Sequence, residues 1–380
     1  MRPRLGPMPA SATTMTTPPL TVVIADDSAL YRQMLLNVLR RIDGVEVVGM
    51  AANGAEAVEL VKNLRPDVIT LDVNMPVMDG IAVLRELRRI KSASRAIMVS
   101  SLTGGHDPTT VEALMEGAFD HLQKPVGLDP HLAREAIRQS LAEKLQAVRV
   151  AVRPSATGFH PSPAASDGQL AWKSDLPYGA IAIGTSTGGP EALRSLIPRL
   201  PPGMPFPIFV VQHMPAMFTP TLASRLNELS SVTVVEAGHG MLAEAGGVYI
   251  APGGRHLRLA KHDNAMTCML DDGSPRLGCR PSFDNLLESM VDVYGKRLLA
   301  VVLTGMGCDG LEGCRRVKAA GGMVIAQSQN TCAVYGMPKA VIDHRLADAV
   351  LPLEAIADAM RLGLPGSAHP STSERTSSAT

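Results

Sequence analysis

The chain has 380 residues, of which 46% are hydrophobic and 19% charged, so it can fill two folded cores and is neither collagen-like nor wholly disordered. Lysine plus arginine and aspartate plus glutamate both number 36, so the chain lacks the positive surplus typical of nucleic-acid-binding proteins. Every apolar stretch is shorter than the roughly 18 residues that a membrane-spanning helix needs, which argues against membrane insertion.

The first 20 residues are basic but contain no continuous apolar segment, so they predict a disordered tail rather than a signal peptide. The cysteines lie in the second half of the chain and include no CxxC pair, which argues against a structural zinc site. So few cysteines in so long a chain favour reduced thiols in a cytoplasmic protein. They are Cys268, Cys279, Cys308, Cys314 and Cys332.

Short apolar runs alternate with helical patterns through residues 21–140, the first predicted domain. This alternation predicts a doubly wound α/β domain, with a parallel sheet of flavodoxin-like strand order covered by helices on both faces. Five helices and five strands are expected, with the strands at 21–26, 45–51, 67–72, 96–101 and 120–124.

Residues 141–178 are predicted to form a linker. A helix is expected at 140–148, and the stretch that follows it is rich in proline, serine and alanine. A second, mostly parallel α/β domain is expected over 179–362, followed by a disordered tail at 363–380. Its predicted strands are 180–184, 207–212, 232–237, 247–252, 257–260, 298–305 and 322–327, and its predicted helices are 191–200, 282–295 and 310–321. Four of the strands are continuously apolar, as strands buried on both faces should be.

Polar residues stand at the ends of four predicted strands of the first domain. Ligand sites collect at the carboxyl ends of parallel strands, so these side chains should converge. Three carboxylates in one pocket repel one another, and a hard cation such as Mg²⁺ relieves that repulsion. Any one aspartate alone would be explained as a helix cap or turn residue. The whole set is hard to explain that way: Asp26, Asp27, Asp72, Ser100 and Lys124.

Residues 21–140 therefore resemble a response-regulator receiver domain, through IADDS, DVNMPVMDG, VSS and KP. The resemblance implies that a histidine kinase phosphorylates Asp72, with Mg²⁺ held by Asp26, Asp27 and Asp72. It also implies that Ser100 and Lys124 act in the switch. His121 departs from the aromatic residue that the family usually has three positions before its lysine.

In the second domain, Gly184, Ser186 and Gly188 form a G-x-S-x-G pattern between a predicted strand and a helix. A turn of this kind exposes a serine hydroxyl, which needs a base to become a nucleophile. His213 and Asp309 also follow apolar strands, so the three side chains can meet as a catalytic triad.

Alternatives to this triad remain at this point. The GTSTGG turn could hold a phosphate through its backbone amides. Other histidines are rival bases, namely His239, His256 and His262. The order serine, histidine, aspartate also differs from that of the α/β-hydrolases.

From residue 179 to about 362 the chain resembles the catalytic domain of the chemotaxis protein-glutamate methylesterases. The matching segments are IGTSTGGPEAL, VVQHMP, APGGRH, FDNLLES, LTGMGCDG and TCAVYGMP, although Thr185 stands where alanine is more usual. By this resemblance Ser186 is the nucleophile, His213 the general base and Asp309 its orienting partner. Thr187 and Met306 fall near the site, where their amides could form an oxyanion hole.

A receiver followed by such a domain implies a phosphorylation-regulated enzyme that hydrolyses glutamate γ-methyl esters on chemoreceptors through an acyl-enzyme. It also implies deamidation of receptor glutamines, a chemotaxis histidine kinase as phosphodonor, and no cofactor in the second domain. A non-catalytic output domain that binds a receptor or kinase is the main alternative. A DNA-binding output is disfavoured, because it would need a helix-turn-helix and a basic face.

Overall fold

The structure, a computed structural model, describes residues 18–101, 108–125, 127, 129–152, 178–262 and 265–361. The predicted tail at 363–380 lies outside these ranges, as do residues 1–17 of the other tail and residues 153–177 of the predicted linker. Leu20, which the prediction placed at the end of the first tail, begins the first strand and is fully buried.

The first domain is built around a five-stranded parallel sheet in the order β2-β1-β3-β4-β5, so the flavodoxin-like prediction is confirmed. Its apolar strands form the sheet because both faces are covered by helices, and β3 is buried along its whole length. The strands are β1 (Leu20–Ala25), β2 (Val45–Ala51), β3 (Val68–Asp72), β4 (Arg95–Ser101) and β5 (Asp120–Lys124). The helices are α1 (Ala29–Leu39), α2 (Gly54–Leu64), α3 (Gly80–Arg89), α4 (Pro108–Met115) and α5 (Pro130–Val152).

The predicted start of the linker at residue 141 was wrong. Helix α5 continues to Val152, and its residues Leu141, Leu145 and Val148 are buried in the core of the first domain. Their spacing of three and four residues places them on one helix face, so this part of the chain packs onto the receiver sheet.

The second domain contains a seven-stranded parallel sheet in the order β14-β13-β12-β6-β7-β9-β8. The three central strands are fully buried and, apart from Thr185 and Gln212 at the ends of two of them, apolar, as the sequence predicted. The strands are β6 (Ala180–Thr185), β7 (Ile208–Gln212), β8 (Thr233–Glu236), β9 (Gly247–Ile250), β12 (Leu298–Val302), β13 (Met323–Gln327) and β14 (Ala349–Leu351). The predicted run at 257–260 belongs instead to a separate antiparallel ribbon of β10 (His256–His262) and β11 (Ala265–Asp271).

Six helices flank this sheet in the described part of the chain, three of which the sequence predicted. They are α6 (Gly189–Leu196), α7 (Thr219–Leu229), α8 (Phe283–Tyr294), α9 (Leu311–Ala319), α10 (Met337–Asp343) and α11 (Leu353–Arg361). The helices α7, α10 and α11 and the strands β11 and β14 were not predicted. In the ranges that the structure describes, no helix has the length and apolar character needed to cross a membrane.

Candidate active site

Ser186 lies directly after β6, and His213 lies directly after the neighbouring strand β7. Thr185 and Gln212 pair in the register of these two strands, so the residues that follow them lie side by side. Asp309 comes from the loop after β12, the neighbour of β6 on its other side. The parallel sheet therefore brings all three predicted triad residues to one edge, as expected for the carboxyl ends of its strands.

Close packing explains why glycine stands two positions before and two positions after Ser186. Gly188 has a φ of 78°, and a Cβ atom there would lie 2.4 Å from the Cβ of Ala333. A Cβ atom on Gly184 would lie 2.1 Å from the ring of Phe283. Both positions require glycine, because a side chain would meet the residues that pack around the loop.

His213 is held by Asp309 at a distance of 2.8 Å between Nε2 and the carboxylate Oδ2. This contact leaves Nδ1 as the ring nitrogen that can act as a base. In the described residues, Nδ1 has Cys279 Sγ as its hydrogen-bond partner, at 3.6 Å, and no hydrogen bond joins it to Ser186 Oγ. Catalytic hydrogen bonds are often long before substrate binds.

The carboxylate of Asp309 is almost fully buried and is stabilised by the beginning of α8. Its Oδ1 accepts hydrogen bonds from Ser282 Oγ at 2.8 Å and from the Asp284 amide at 3.1 Å. Its Oδ2 accepts a further bond from the Phe283 amide at 2.6 Å. A helix N-terminus favours negative charge, so this site keeps Asp309 ionised and fixed in place.

The two partners shift each other's protonation in opposite directions. Burial lowers the pKa of His213, but the hydrogen bonds to Asp309 and Cys279 outweigh burial and raise the pKa to about 9. Burial raises the pKa of Asp309, but the hydrogen bond and charge of His213, together with the Phe283 and Asp284 amides, outweigh burial and hold that pKa below its usual value. The pair therefore favours an imidazolium beside a carboxylate, the charge state that forms when His213 takes a proton.

Two polar residues that the sequence did not predict to be supports of the site hold its loops together. Gln212 Nε2 donates to the carbonyl oxygens of Ser186 at 3.0 Å and of His213 at 3.1 Å. The hydroxyl of Thr185, which replaces the usual alanine, donates to the Thr304 carbonyl at 2.8 Å. Thr185 is thus a buried structural link between the loops after β6 and β12.

Two of the rival histidines have structural contacts. His256 is buried, its Nε2 lies 3.1 Å from the Ser274 carbonyl, and its Nδ1 accepts a bond from the Ser282 amide. His239 Nδ1 accepts a bond from the Leu270 amide at 3.1 Å. The side chain of His262 lies outside the described residues.

In the first domain, the predicted acidic pocket is present at the ends of β1 and β3. Oxygen atoms of Asp26, Asp27 and Asp72 all lie within 4.8 Å of one another. The ammonium of Lys124 lies 2.8 Å from Asp26 Oδ2 and 3.1 Å from Asp72 Oδ1. Burial, against the attraction of Lys124, raises the pKa of Asp72 to about 6, as expected for a carboxylate in an acidic pocket.

Ser100 lies at the end of β4 beside this pocket. Its hydroxyl is buried and, within the described part of the chain, has no hydrogen-bond partner. A buried hydroxyl without a partner costs free energy, so it suits a ligand oxygen that arrives later. The carboxylates and this hydroxyl form a donor set suited to Mg²⁺ and a phosphoryl group.

Comparisons with known proteins agree with both domain assignments. The family model described as CheB methylesterase matches residues 181–360, and the response regulator receiver domain model matches residues 22–138. A protein of Symbiobacterium thermophilum named protein-glutamate methylesterase/protein-glutamine glutaminase is 42% identical over 356 residues, covering 90% of this chain and 96% of the relative. The chain belongs to this methylesterase family.

A second relative covers a similar share of the chain, and a solved structure covers its second domain. A protein of the same name from Archaeoglobus fulgidus is 41% identical over 343 residues, covering 89% of this chain and 96% of its own. The crystal structure of the Thermotoga maritima CheB methylesterase catalytic domain is 44% identical, covering 49% of this chain and 98% of that one, with a TM-score of 0.48. The family-model matches, the curated relatives and the observed sheet order confirm the predicted family, fold class and enzyme class: the chain is a methylesterase-class enzyme with a receiver domain.

In this methylesterase the receiver lies against the catalytic domain beside Ser186. Thr187 Oγ1 donates to Asp120 Oδ2 of β5 at 2.9 Å. The unusual His121 packs edge-on against Phe218 of the catalytic domain, with ring centroids 5.1 Å apart. Two ion pairs join α3 and the residue after α4 to α6, namely Arg88–Glu191 and Arg194–Glu116.

Proposed function

We propose that this protein hydrolyses γ-glutamyl methyl esters on the cytoplasmic helices of chemoreceptors and releases methanol. The main support is the arrangement of Ser186, His213 and Asp309 at one sheet edge, with the 2.8 Å contact between His213 and Asp309. The curated relatives carry the name protein-glutamate methylesterase/protein-glutamine glutaminase, which agrees with this substrate.

In the proposed acylation step, Ser186 Oγ forms a bond to the ester carbonyl carbon, and His213 Nδ1 accepts the hydroxyl proton. The tetrahedral intermediate then breaks its bond to the methoxy oxygen, which leaves as methanol with the proton from His213. In the second step water attacks the acyl carbon and His213 takes a proton from it. The bond from that carbon to Ser186 Oγ then breaks, Oγ regains a proton from His213, and free glutamate leaves.

The amides of Thr187 and Met306 are proposed to stabilise the oxyanion of each tetrahedral intermediate. In the described part of the chain neither amide donates a hydrogen bond to another protein group. One such donor commonly contributes about 2.7–4 kcal/mol to transition-state stabilisation.

Deamidation of receptor glutamines follows the same steps with ammonia as the leaving group. The residues that form and resolve the acyl-enzyme are unchanged, since both reactions produce the same γ-glutamyl intermediate. The second function therefore needs no further catalytic residue.

The receiver is proposed to take a phosphoryl group from a chemotaxis histidine kinase on the carboxylate of Asp72. Asp26, Asp27 and Asp72 would hold Mg²⁺, which when bound neutralises the charge of the carboxylates and the phosphoryl oxygens. Lys124 and the unpartnered hydroxyl of Ser100 would then bind phosphoryl oxygens.

Phosphorylation is proposed to activate the enzyme by weakening the packing of the receiver against the catalytic domain. Asp120 and His121 belong to β5, whose last residue Lys124 contacts Asp72, so a change at the phosphorylation site has a short route to Thr187 and Phe218. The free energy available to shift the receiver from the packed to the unpacked state is the difference in the interaction energy of the phosphoryl group between these two states. We place this reaction in the cytoplasm, with receptors and kinase as partners and no nucleic acid.

Mass spectrometry of receptor peptides tests the proposed function. Receptor membranes carrying methylated glutamates are incubated with the protein, acetyl phosphate and Mg²⁺. We expect each reacted peptide to lose its methyl group and leave a free glutamate, with an equal amount of methanol. Receptors that bind the protein but keep every methyl group would instead support a non-catalytic output domain.

A further inference from the structure

Cys279 places its sulfur against the nitrogen of His213 that catalysis requires. Sγ lies 3.6 Å from Nδ1, and Nε2 of the same ring lies 2.8 Å from Asp309 Oδ2. A thiol has no part in the ester hydrolysis proposed above, so the proposed roles of the triad do not account for this contact.

We propose that Cys279 and His213 form an inhibitory binding site for a thiophilic divalent cation such as Zn²⁺. Tetrahedral zinc has bonds of about 2.3 Å to sulfur and about 2.05 Å to nitrogen, which separates two such ligands by about 3.6 Å. The separation of Sγ and Nδ1 in this structure is the same, 3.6 Å. The two ligand atoms therefore already have the spacing that the cation would impose.

Asp309 completes the arrangement on the far side of the ring. A histidine that binds zinc through one nitrogen usually donates its other N–H to a carboxylate, which fixes the ring and strengthens the ligand. The bond from His213 Nε2 to Asp309 Oδ2 meets that requirement, and side-chain oxygen, nitrogen and sulfur atoms of the three residues lie within 4.8 Å of one another.

The position of Cys279 is fixed by a tight turn. The amide and carbonyl groups of Arg276 and Cys279 are joined by two backbone hydrogen bonds of 3.0 and 2.8 Å. Arg276 in turn is anchored to Glu288 at 2.7 Å and to Asp284 at 3.4 Å. The same segment continues into Ser282, which holds Asp309, so one stretch of chain positions both the thiol and the carboxylate.

Cation binding would stop the reaction at its first step. The thiol releases one proton to solvent and the imidazolium releases a second from Nδ1. Bonds then form from the cation to Sγ and to the lone pair of Nδ1, with water in the remaining positions. An imidazole whose Nδ1 lone pair is bound to a cation cannot accept the proton of Ser186. A chelator that removes the cation would restore the base.

Metal binding by the full chain tests the proposal without relying on its activity. Calorimetric titration with Zn²⁺ is carried out in saturating Mg²⁺, which occupies the acidic pocket of the receiver, and in a phosphine reductant. Exchange of Zn²⁺ for Co²⁺ adds a thiolate-to-metal charge-transfer band as a spectroscopic readout. The variants are Cys279→Ser and Cys279→Ala, with Cys308→Ser and Cys332→Ser as matched controls because these free thiols are also accessible.

We expect one Zn²⁺ per chain for the wild type and both controls. Loss of the Cys279 thiol should weaken binding by at least about tenfold and abolish the charge-transfer band. In the wild type, Zn²⁺ should lower the rate of methanol release and a chelator should restore it. In the Cys279 variants, the ratio of the rate with Zn²⁺ to the rate without it should stay close to one.

Three results would overturn the proposal: no binding by the wild type, equal affinity in correctly folded Cys279 variants, or loss of binding in a control instead. If the wild type released no methanol at all, the proposed enzymatic function would fail while the titration still decided the metal site.

Discussion

Thr187 Oγ1 donates a 2.9 Å hydrogen bond to Asp120 Oδ2, and this contact links the residue after Ser186 to the first residue of β5. The last residue of β5 is Lys124, which pairs with Asp72 at 3.1 Å. A strand of five residues thus connects the proposed phosphorylation site of one domain to the candidate active site of the other.

Removal of the Asp120 carboxylate should activate the unphosphorylated enzyme. Hydrogen bonds to charged groups contribute about 1.5–3 kcal/mol, so Asp120→Ala should shift the balance toward the unpacked receiver by about tenfold or more. Methanol release without a phosphodonor should rise by up to that factor. The control Glu143→Ala removes an exposed carboxylate of α5 and should leave the basal rate unchanged. Equal basal rates in both variants would contradict the proposed contact.

The pH dependence of kcat/KM should follow the protonation of His213. A base accepts a proton only when neutral, and the pKa of His213 is about 9, so the rate should rise with pH through about 9. Cys279 raises this pKa, so Cys279→Ala should move the midpoint to lower pH. The Ser186→Ala variant gives the rate of spontaneous ester hydrolysis at each pH, and this background is subtracted from the enzymatic rate. A rate that is flat from about pH 7 to 9 would argue against this role.

Ser282 should affect both stability and catalysis, because its hydroxyl caps α8 and donates to Asp309. Loss of an N-cap costs about 0.5–2 kcal/mol of stability. Since about 1.4 kcal/mol of lost transition-state stabilisation is a tenfold loss of rate, Ser282→Ala should also lower kcat about tenfold. Ser289 lies on the same helix and contacts Leu259 and Leu286 instead. If Ser289→Ala lowered kcat equally, the effect would come from the helix rather than from Asp309.

Asp72 should carry the phosphoryl group, and divalent cations should be required. Incubation with labelled acetyl phosphate should label the wild type in Mg²⁺, whereas chelation of Mg²⁺ or the change Asp72→Asn should abolish labelling. Asp43→Asn, an exposed change in the loop before β2, should label normally. Label retained by Asp72→Asn would place the phosphoryl group on another residue.

The sheet architecture of both domains could be predicted because it depends on local sequence. Short continuous apolar runs such as those of β6 and β12 are typical of strands buried on both faces, and strand-end polar residues then meet at one edge. The helix α10 was missed because it has only seven residues. The strand β14 has only three residues, so its pattern is too brief to detect. The end of α5 was misassigned because a linker-like composition follows it.

The supporting residues of the site could not be predicted, because their contacts join distant parts of the chain. Ser282 and Asp309 are 27 positions apart, and Cys279 and His213 are 66 apart. Gln212 was visible only as the last residue of an apolar strand. Its polar side chain at the end of an otherwise apolar strand was the one sequence feature that indicated a role at the site.

The most direct test of the account compares methanol release by Ser186→Ala and Ser195→Ala, with acetyl phosphate and Mg²⁺ present. Ser195 is an exposed serine of α6, nine positions after the proposed nucleophile. We expect Ser195→Ala to match the wild type and Ser186→Ala to lose at least about a thousandfold in kcat, as serine nucleophiles do. Wild-type rates in Ser186→Ala would contradict the central claim that this hydroxyl performs the chemistry.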